Sequence, residues 1–146
     1  MIKSIDIASY IYKRCKRKKF IVNNTKIQKL LYCCYGAFLS QEKPLFNEHP
    51  RAWEHGPVFP KVFKFIYKKG VSELTSINTE ALPKDIKELL NVIIDYFGKY
   101  SSTQLVEWAT DIGSPWYSII VLQKKGYGSF FSQNEIKDYF NYYVFK

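Results

Sequence analysis

The chain has 146 residues, of which 47% are hydrophobic, and this is typical of a single domain that buries its own core. We therefore expect one domain over residues 1–146. No apolar run reaches the roughly 18 residues of a membrane-spanning helix. Asp6 interrupts the apolar stretch that a signal peptide would need, so we expect a cytoplasmic protein without a membrane partner. The net charge of +9 favours an acidic partner surface.

The cysteine and histidine content predicts neither a disulfide framework nor a metal site. Cys15, Cys33 and Cys34 are odd in number, and the adjacent pair would point in different directions on a helix. Neither a CxxC nor an HxxxH spacing occurs. We expect reduced thiols, no metal and no cofactor.

The first two helices are predicted from apolar residues at intervals of three and four. Ser4 is the predicted cap of the first helix, with Asp6 in its first turn. Asn24 or Thr25 is the predicted cap of the second, whose stripe is Ile27, Leu30, Leu31, Cys34 and Phe38. Gly36 lies late in this second helix, where close approach of another backbone would explain a glycine. We expect the second helix to run through the core.

The connection after the second helix contains prolines, glycine and a tryptophan. Pro44, Pro50, Gly56 and Pro57 predict a sharp turn around a large buried ring, Trp53. Residues 20–22 favour a strand and residues 52–54 an extended conformation. These two segments are the predicted strands of a minimal sheet.

Further helices are predicted from their start and stop signals. Helices should begin near Pro60, Pro83, Ser101, Pro115 and Ser132. Residues 71–82 lack a pattern and are predicted to form a mobile loop. The apolar residues 142–145 are expected to dock on the core or on a partner. The predicted fold is mainly α, with about seven helices and at most a minimal two-stranded sheet.

Three patches of the sequence resemble a known family. They are KIQKLLY with Gly36, KPLF, AWEHGPV and PKVF over residues 26–63; LVEWATDIGSPW over residues 105–116; and SQNEIKDYF over residues 132–140. This pattern resembles the Panacea domain, the SocA-like antitoxin family, which includes many phage-associated proteins. The residues that carry the resemblance are Gln28, Leu31, Gly36, Trp53, His55, Gly56, Pro57, Pro115 and Trp116. Many relatives have Thr-His before Pro-Trp, whereas here Asp111 follows Thr110.

The resemblance implies a non-enzymatic protein-binding module. Such a module neutralises a partner toxin by direct contact or delivers it to a protease. One alternative is a phage-borne inhibitor of a bacterial defence nuclease, similar in action to an anti-CRISPR protein. Another is a basic regulator that binds nucleic acid, although no recognition motif is visible. The partner is thus expected to be a protein, a cognate toxin or a defence effector, with weak non-specific nucleic-acid binding left open.

One cluster of residues invites a catalytic interpretation. Glu48, His49, Glu54 and His55 lie close in sequence, and a histidine beside carboxylates can act as a base. A hydrogen-bonding anchor within the turn is the favoured interpretation for His55. No nucleophile motif or phosphate-binding loop accompanies the cluster. We expect no catalytic residues.

The candidate partner-binding residues are the cations at the end of the first helix. They are Lys13, Arg14, Lys16, Arg17, Lys18 and Lys19. Cations at a helix C-terminus complement the helix dipole, so a solvated helix end is the simpler interpretation. The functional interpretation is contact with an acidic partner, together with the predicted loop at residues 71–82.

Overall fold

The computed structural model describes residues 1–144, which form a mainly helical domain with a small three-stranded antiparallel sheet. The helices are α1 (Ser4–Arg17), α2 (Asn24–Ser40), α3 (Pro60–Lys69), α4 (Lys84–Phe97), α5 (Ser102–Thr110), α6 (Pro115–Tyr117) and α7 (Gln133–Tyr139). The strands are β1 (Arg51–Trp53), β2 (Gly56–Val58) and β3 (Ser129–Phe130). A 3₁₀ helix spans Val71–Ser76, and π-helical turns at Ser118–Leu122 and Phe140–Val144 extend α6 and α7. The prediction of a mainly α fold is confirmed.

Helix α2 is the centre of the core. Every residue from Lys26 to Leu39 is buried, and α1, α4, α5 and α7 all pack against this helix. A helix that is buried on all sides is typical of the interior of a helical domain. The predicted apolar stripe was therefore too narrow, because it accounted for only one face of α2.

Several predicted helix starts are confirmed by side-chain caps. The Ser101 hydroxyl accepts the Gln104 N–H at 3.1 Å, and Ser114 caps Tyr117 in the same way at 3.1 Å. Asn23, one residue before the predicted cap of α2, accepts the Lys26 N–H at 2.8 Å. The prediction for Ser4 was wrong, because this residue is the first of α1 and its hydroxyl donates instead to a distant carboxylate.

One predicted strand of the sheet is confirmed, because residues 52–54 overlap β1, but the strands that pair with it were not predicted. Strand β1 pairs with β2, which places Trp53 opposite Gly56, and with β3, which places Ala52 opposite Ser129. Residues 20–22 form no strand. The Phe20 ring packs instead on the end of α4, where a β-carbon on Gly98 would lie 2.7 Å from it. The hairpin strand β2 occupies one edge of β1 and the distant strand β3 occupies the other, so neither edge is left for residues 20–22.

Residues 71–82 are anchored to the core. Leu74 lies within the 3₁₀ helix and is fully buried, and Leu82 is buried as well. The Ser9 hydroxyl of α1 donates to the Leu74 carbonyl at 2.6 Å. The prediction of a patternless mobile loop was wrong because two isolated leucines, too few to make a periodic pattern, bury this segment.

Gly36 faces an aromatic cluster. A β-carbon at this position would lie 2.2 Å from the ring of Phe140, which is fully buried. The predicted approach of another backbone at Gly36 was wrong, because the atoms that crowd this position belong to the Phe140 side chain. Tyr32 lies in the same cluster, with its ring centre 5.4 Å from that of Phe140 and 6.0 Å from that of Trp108. Its hydroxyl is buried and has no hydrogen-bond partner within residues 1–144.

The end of the described chain is only partly buried. Val144 packs against the core, whereas Tyr142 and Tyr143 are exposed. Docking of residues 142–145 was predicted, and Phe145 lies outside the described residues. None of the helices in residues 1–144 has both the length and the hydropathy that crossing a bilayer requires.

Candidate partner-binding surface

Part of the predicted basic surface is used inside the molecule. The Arg14 guanidinium donates to both carboxylate oxygens of Asp95 on α4, at 3.0 and 2.7 Å, and the Lys18 ammonium lies 3.4 Å from the same group. The hydrogen bond from Arg14 lowers the pKa of the Asp95 carboxyl. Lys13 donates to the Ile77 carbonyl at 2.5 Å. These cations hold α1 against α4 and the segment after the 3₁₀ helix.

The remaining cations of this segment point to solvent. Lys16, Arg17 and Lys19 are exposed and make no ion pair within the described chain. Lys18 is also exposed, although it pairs with Asp95. Lys13 and Arg14 thus serve the fold, Lys16, Arg17 and Lys19 are available to a partner, and Lys18 is exposed but also pairs with Asp95.

A groove of about 530 Å³ lies beside these exposed cations. It runs between the end of α1, the first turn of α2 and the connection from α4 to α5. Its lining residues are Lys19, Phe20, Ile21, Lys26, Gly98, Lys99, Tyr100 and residues 101–104. Three of them are lysines and none is acidic, so the groove is positively charged.

Lys26 is the lining residue that sequence reasoning missed. Its side chain is only 4% exposed, and its ammonium lies 5.4 Å from the centre of the Phe20 ring. Burial lowers the pKa of this lysine. The available signal was its place in KIQKLLY, one residue before the buried stripe begins, but a lysine in that position is more often solvated.

Several of the residues that carry the family resemblance meet at the β1–β2 hairpin. The side-chain oxygen of Gln28 accepts the Phe59 N–H at 2.8 Å, and the Lys29 ammonium donates to the Pro57 carbonyl at 3.1 Å. Both side chains come from α2, so they fix β2 and the start of α3 onto the central helix. Gly56, with φ +111°, lies so close that a β-carbon there would be 3.0 Å from Lys29.

Trp53, Pro115 and Trp116, which also carry the family resemblance, join α6 to the hairpin. The indole N–H of Trp116 donates to the Trp53 carbonyl at 2.7 Å, which joins α6 to the hairpin. Pro115 is buried at the first position of α6. Trp53 is only half-buried, against the prediction of a fully buried ring, and it packs on Phe63 with 5.3 Å between ring centres. Leu31 is fully buried in the core.

A smaller cavity of about 240 Å³ lies against the hairpin. Trp53, Glu54 and His55 line one side, and Gln28 and Lys29 line the other. Lys29 is 1% exposed, and burial lowers the pKa of its ammonium to about 8. Lys29 therefore has a structural role as a buried strut, that is, a buried side chain that joins α2 to the hairpin through its hydrogen bond to the Pro57 carbonyl.

The four acidic and histidine residues of the candidate catalytic cluster form no common site: Glu54 and His55 line the cavity, whereas Glu48 and His49 have other partners. Glu48 accepts hydrogen bonds from the Ser4 N–H at 2.6 Å and from its hydroxyl at 2.7 Å, so it caps α1. His49 shares a hydrogen bond with the Tyr35 hydroxyl at 3.0 Å. His55 is exposed, and its ring makes no hydrogen bond within residues 1–144, so the predicted anchoring role was wrong. No three His, Cys, Asp or Glu side chains of the described chain could together hold a metal ion.

The cysteines are packed in the core. Burial raises the pKa of the Cys15 thiol to about 11 and raises those of Cys33 and Cys34 as well. Because the thiolate is the reactive form, these thiols lack the lowered pKa of redox-sensing cysteines. All three are free.

Comparison with known proteins identifies the family. Residues 27–117, more than half of the chain, match the family described as "Antitoxin SocA-like, Panacea domain". The chain belongs to this family. Antitoxin SocA of Caulobacter vibrioides (strain NA1000 / CB15N) is 31% identical over 109 residues, which cover 65% of this chain and 58% of that protein. No solved structure matches the chain.

The range that matches the family, residues 27–117, includes the hairpin but not the basic segment. It extends from α2 to α6 and therefore contains the hairpin, its contacts with Gln28 and Lys29, and the residues of the second patch. The basic segment at residues 13–19 and Lys26 precede it. The Panacea match thus accounts for the scaffold, while the positive groove includes residues of this chain outside it.

Proposed function

We propose that this protein is an antitoxin that neutralises a partner toxin through direct, non-enzymatic contact in the cytoplasm. The observation that supports the proposal is membership of the SocA-like family, together with a relative whose name is that of an antitoxin. The chain covers 58% of that relative, so its partner and its mechanism are proposed here for the described domain alone.

The mechanism that we propose needs a rigid scaffold with an exposed, charged face. The scaffold is supplied by α2, whose polar residues are used to fix the hairpin. The exposed face is supplied by Lys16, Arg17, Lys18 and Lys19, which project from the end of α1. Complementary charge at an interface accelerates association and excludes the wrong partners. A toxin bound in this way is either blocked directly or held for delivery to a protease.

Co-expression tests the antitoxin function. Each open reading frame adjacent to the gene for this chain is induced in a bacterial host, with and without the chain. The proposal predicts that one of them arrests growth, that the chain restores growth, and that the two proteins elute together in size-exclusion chromatography. Arrest that the chain does not relieve, or restored growth without a complex in a host that lacks the ATP-dependent proteases, would contradict the proposal.

The same cells separate blocking from delivery. The amount of toxin is followed after translation is stopped, in a host with its ATP-dependent proteases and in a host without them. If the chain is an adaptor, the toxin disappears only when both the chain and the proteases are present. If the chain blocks the toxin, growth is restored in both hosts and the amount of toxin is unchanged.

A further inference from the structure

Lys26 has a largely buried side chain whose ammonium reaches the solvent of the groove and has no anion beside it in residues 1–144. Its side chain is 4% exposed, yet its ammonium has neither a hydrogen bond nor an ion pair in the part of the chain that the structure describes. Its described contact is with the ring of Phe20, at 5.4 Å. Because most of this side chain is surrounded by protein, solvent screens the ammonium less than it screens an exposed lysine, and an anion beside it would be attracted more strongly. The ammonium lines the groove, so an anion entering the groove would reach it.

The opposite wall of the groove is also suited to an anion. Residues 101–104 form the first turn of α5, a nine-residue helix, and its N-terminus carries the positive end of the helix dipole. The Ser102 hydroxyl donates to the side-chain oxygen of Asn23, at 2.8 Å, and this oxygen also caps α2. This bond holds the two walls together. Lys19 and Lys99 contribute two further positive charges.

The floor of the groove is apolar. Phe20 and Tyr100 provide aromatic surface, and Ile21 beside them is 87% exposed. Three cations around an apolar floor match a segment that alternates carboxylates with apolar side chains. A single-stranded nucleic acid would satisfy the cations and could stack bases on Phe20 and Tyr100, but Ile21, an aliphatic side chain that is 87% exposed, is covered better by an apolar side chain than by a base. Charge and surface together therefore favour a protein ligand.

We propose that this groove is the docking site for an acidic segment of the partner protein, with one carboxylate bound between Lys26 and the first turn of α5. Apolar side chains of the segment cover Phe20 and Ile21. The proposal rests on the proposed function, because it assigns the surface through which the antitoxin meets its toxin. It moves the centre of contact from the helix end at residues 16–19 to the buried Lys26.

A peptide titration followed by NMR tests the site directly. The probe is the hexapeptide Glu-Leu-Asp-Glu-Phe-Glu with an acetylated N-terminus and an amidated C-terminus. Its control is the same peptide with Gln in place of each Glu and Asn in place of Asp. We expect the acidic peptide to shift the amide signals of Lys26 and residues 101–104, and the neutral one to shift them little. Binding of neither peptide, or shifts elsewhere on the surface, would overturn the proposal.

Two matched variants separate the buried lysine from general positive charge. Lys26→Met keeps the length of the side chain and removes its charge, and we expect peptide affinity to fall about tenfold or more. Lys64→Met removes an exposed charge on α3, outside both the groove and the basic segment, and should change affinity less than about twofold. Because Lys26 loses no partner, Lys26→Met should retain the thermal midpoint of the wild type. Equal losses in both variants would refute a specific role for Lys26.

Competition distinguishes a protein ligand from nucleic acid. If a twelve-nucleotide oligothymidine displaces the acidic peptide and binds more tightly at the same salt concentration, the groove binds nucleic acid and the proposal is wrong. Co-expression with the toxin then tests the groove assignment separately from the antitoxin function. If Lys26→Met restores growth as well as the wild type does, the groove assignment fails and the antitoxin function remains. If the wild type itself restores no growth, the antitoxin function fails whatever the peptide does.

Discussion

Replacing Lys29 with methionine should change how the stability of the protein depends on pH. Lys29 is buried beneath the hairpin, with the Pro57 carbonyl as its hydrogen-bond partner. Its pKa is lowered from 10.5 to about 8 by burial. Between these two values the unfolded chain binds more protons at this position than the folded protein does. The free energy of unfolding contributed by Lys29 therefore rises with pH across this window.

The lowered pKa sets the size of the effect. With a folded pKa of about 8 and an unfolded pKa of 10.5, raising the pH from 7 to 9 adds about 1–2 kcal/mol to the stability contributed by this group. The other titrating groups are common to the wild type and Lys29→Met, so their effects cancel in the difference. Over this range the wild type should gain about 1–2 kcal/mol relative to the variant.

Urea denaturation at pH 7, 8 and 9 measures this difference. Lys64→Met is the matched control, because it also removes one lysine, from the exposed face of α3. We expect the control to follow the wild-type curve at every pH. If the free energies of unfolding of the wild type and of Lys29→Met change by the same amount between pH 7 and pH 9, the Lys29 ammonium is hydrated in the folded protein. The description of Lys29 as a buried strut would then be wrong.

Three further substitutions test the core and its charged contact, each followed by chemical denaturation. Gly36→Ala places a methyl group against the Phe140 ring and should lower stability by about 1–3 kcal/mol; a gain, as expected for alanine in an open helix, would contradict the packing. Tyr32→Phe removes a hydroxyl that has no partner in residues 1–144 and should leave stability unchanged or raise it by about 1 kcal/mol. A loss of more than about 1 kcal/mol would reveal a hydrogen bond of this hydroxyl. Arg14→Met breaks the paired contact with Asp95 and should lower stability by about 1 kcal/mol, whereas an unchanged value would show that the ion pair is solvated.

Local signals in the sequence predicted most of the helices. The capping residues Ser101 and Ser132 and the first-turn prolines Pro60 and Pro115 act within one turn of the chain, and all four mark helix starts in the structure. Such signals depend on hydrogen bonds between residues three or four positions apart. The chain can therefore be divided into helices before anything is known of its tertiary contacts.

The errors arose where distant residues decide the structure. Strand β3 pairs with β1, which lies more than 70 residues earlier in the sequence, and no local pattern at Ser129 predicts this pairing. Leu74 is buried by contact with α1, and only the tertiary fold explains this. The roles of Lys26 and Lys29 were missed for the same reason. A lysine is assigned to the surface by default, and its burial follows only from the elements that cover it.

The most direct test of the central claim is a titration of the purified toxin, identified by co-expression, with this protein. Neutralisation by contact predicts that toxin activity falls linearly and reaches zero at a fixed molar ratio, with the toxin recovered intact from the complex. An enzyme would inactivate many toxin molecules per copy and leave a change in toxin mass. Loss of toxin activity well below a stoichiometric amount, or full toxin activity with a complex present, would contradict an antitoxin that acts by binding.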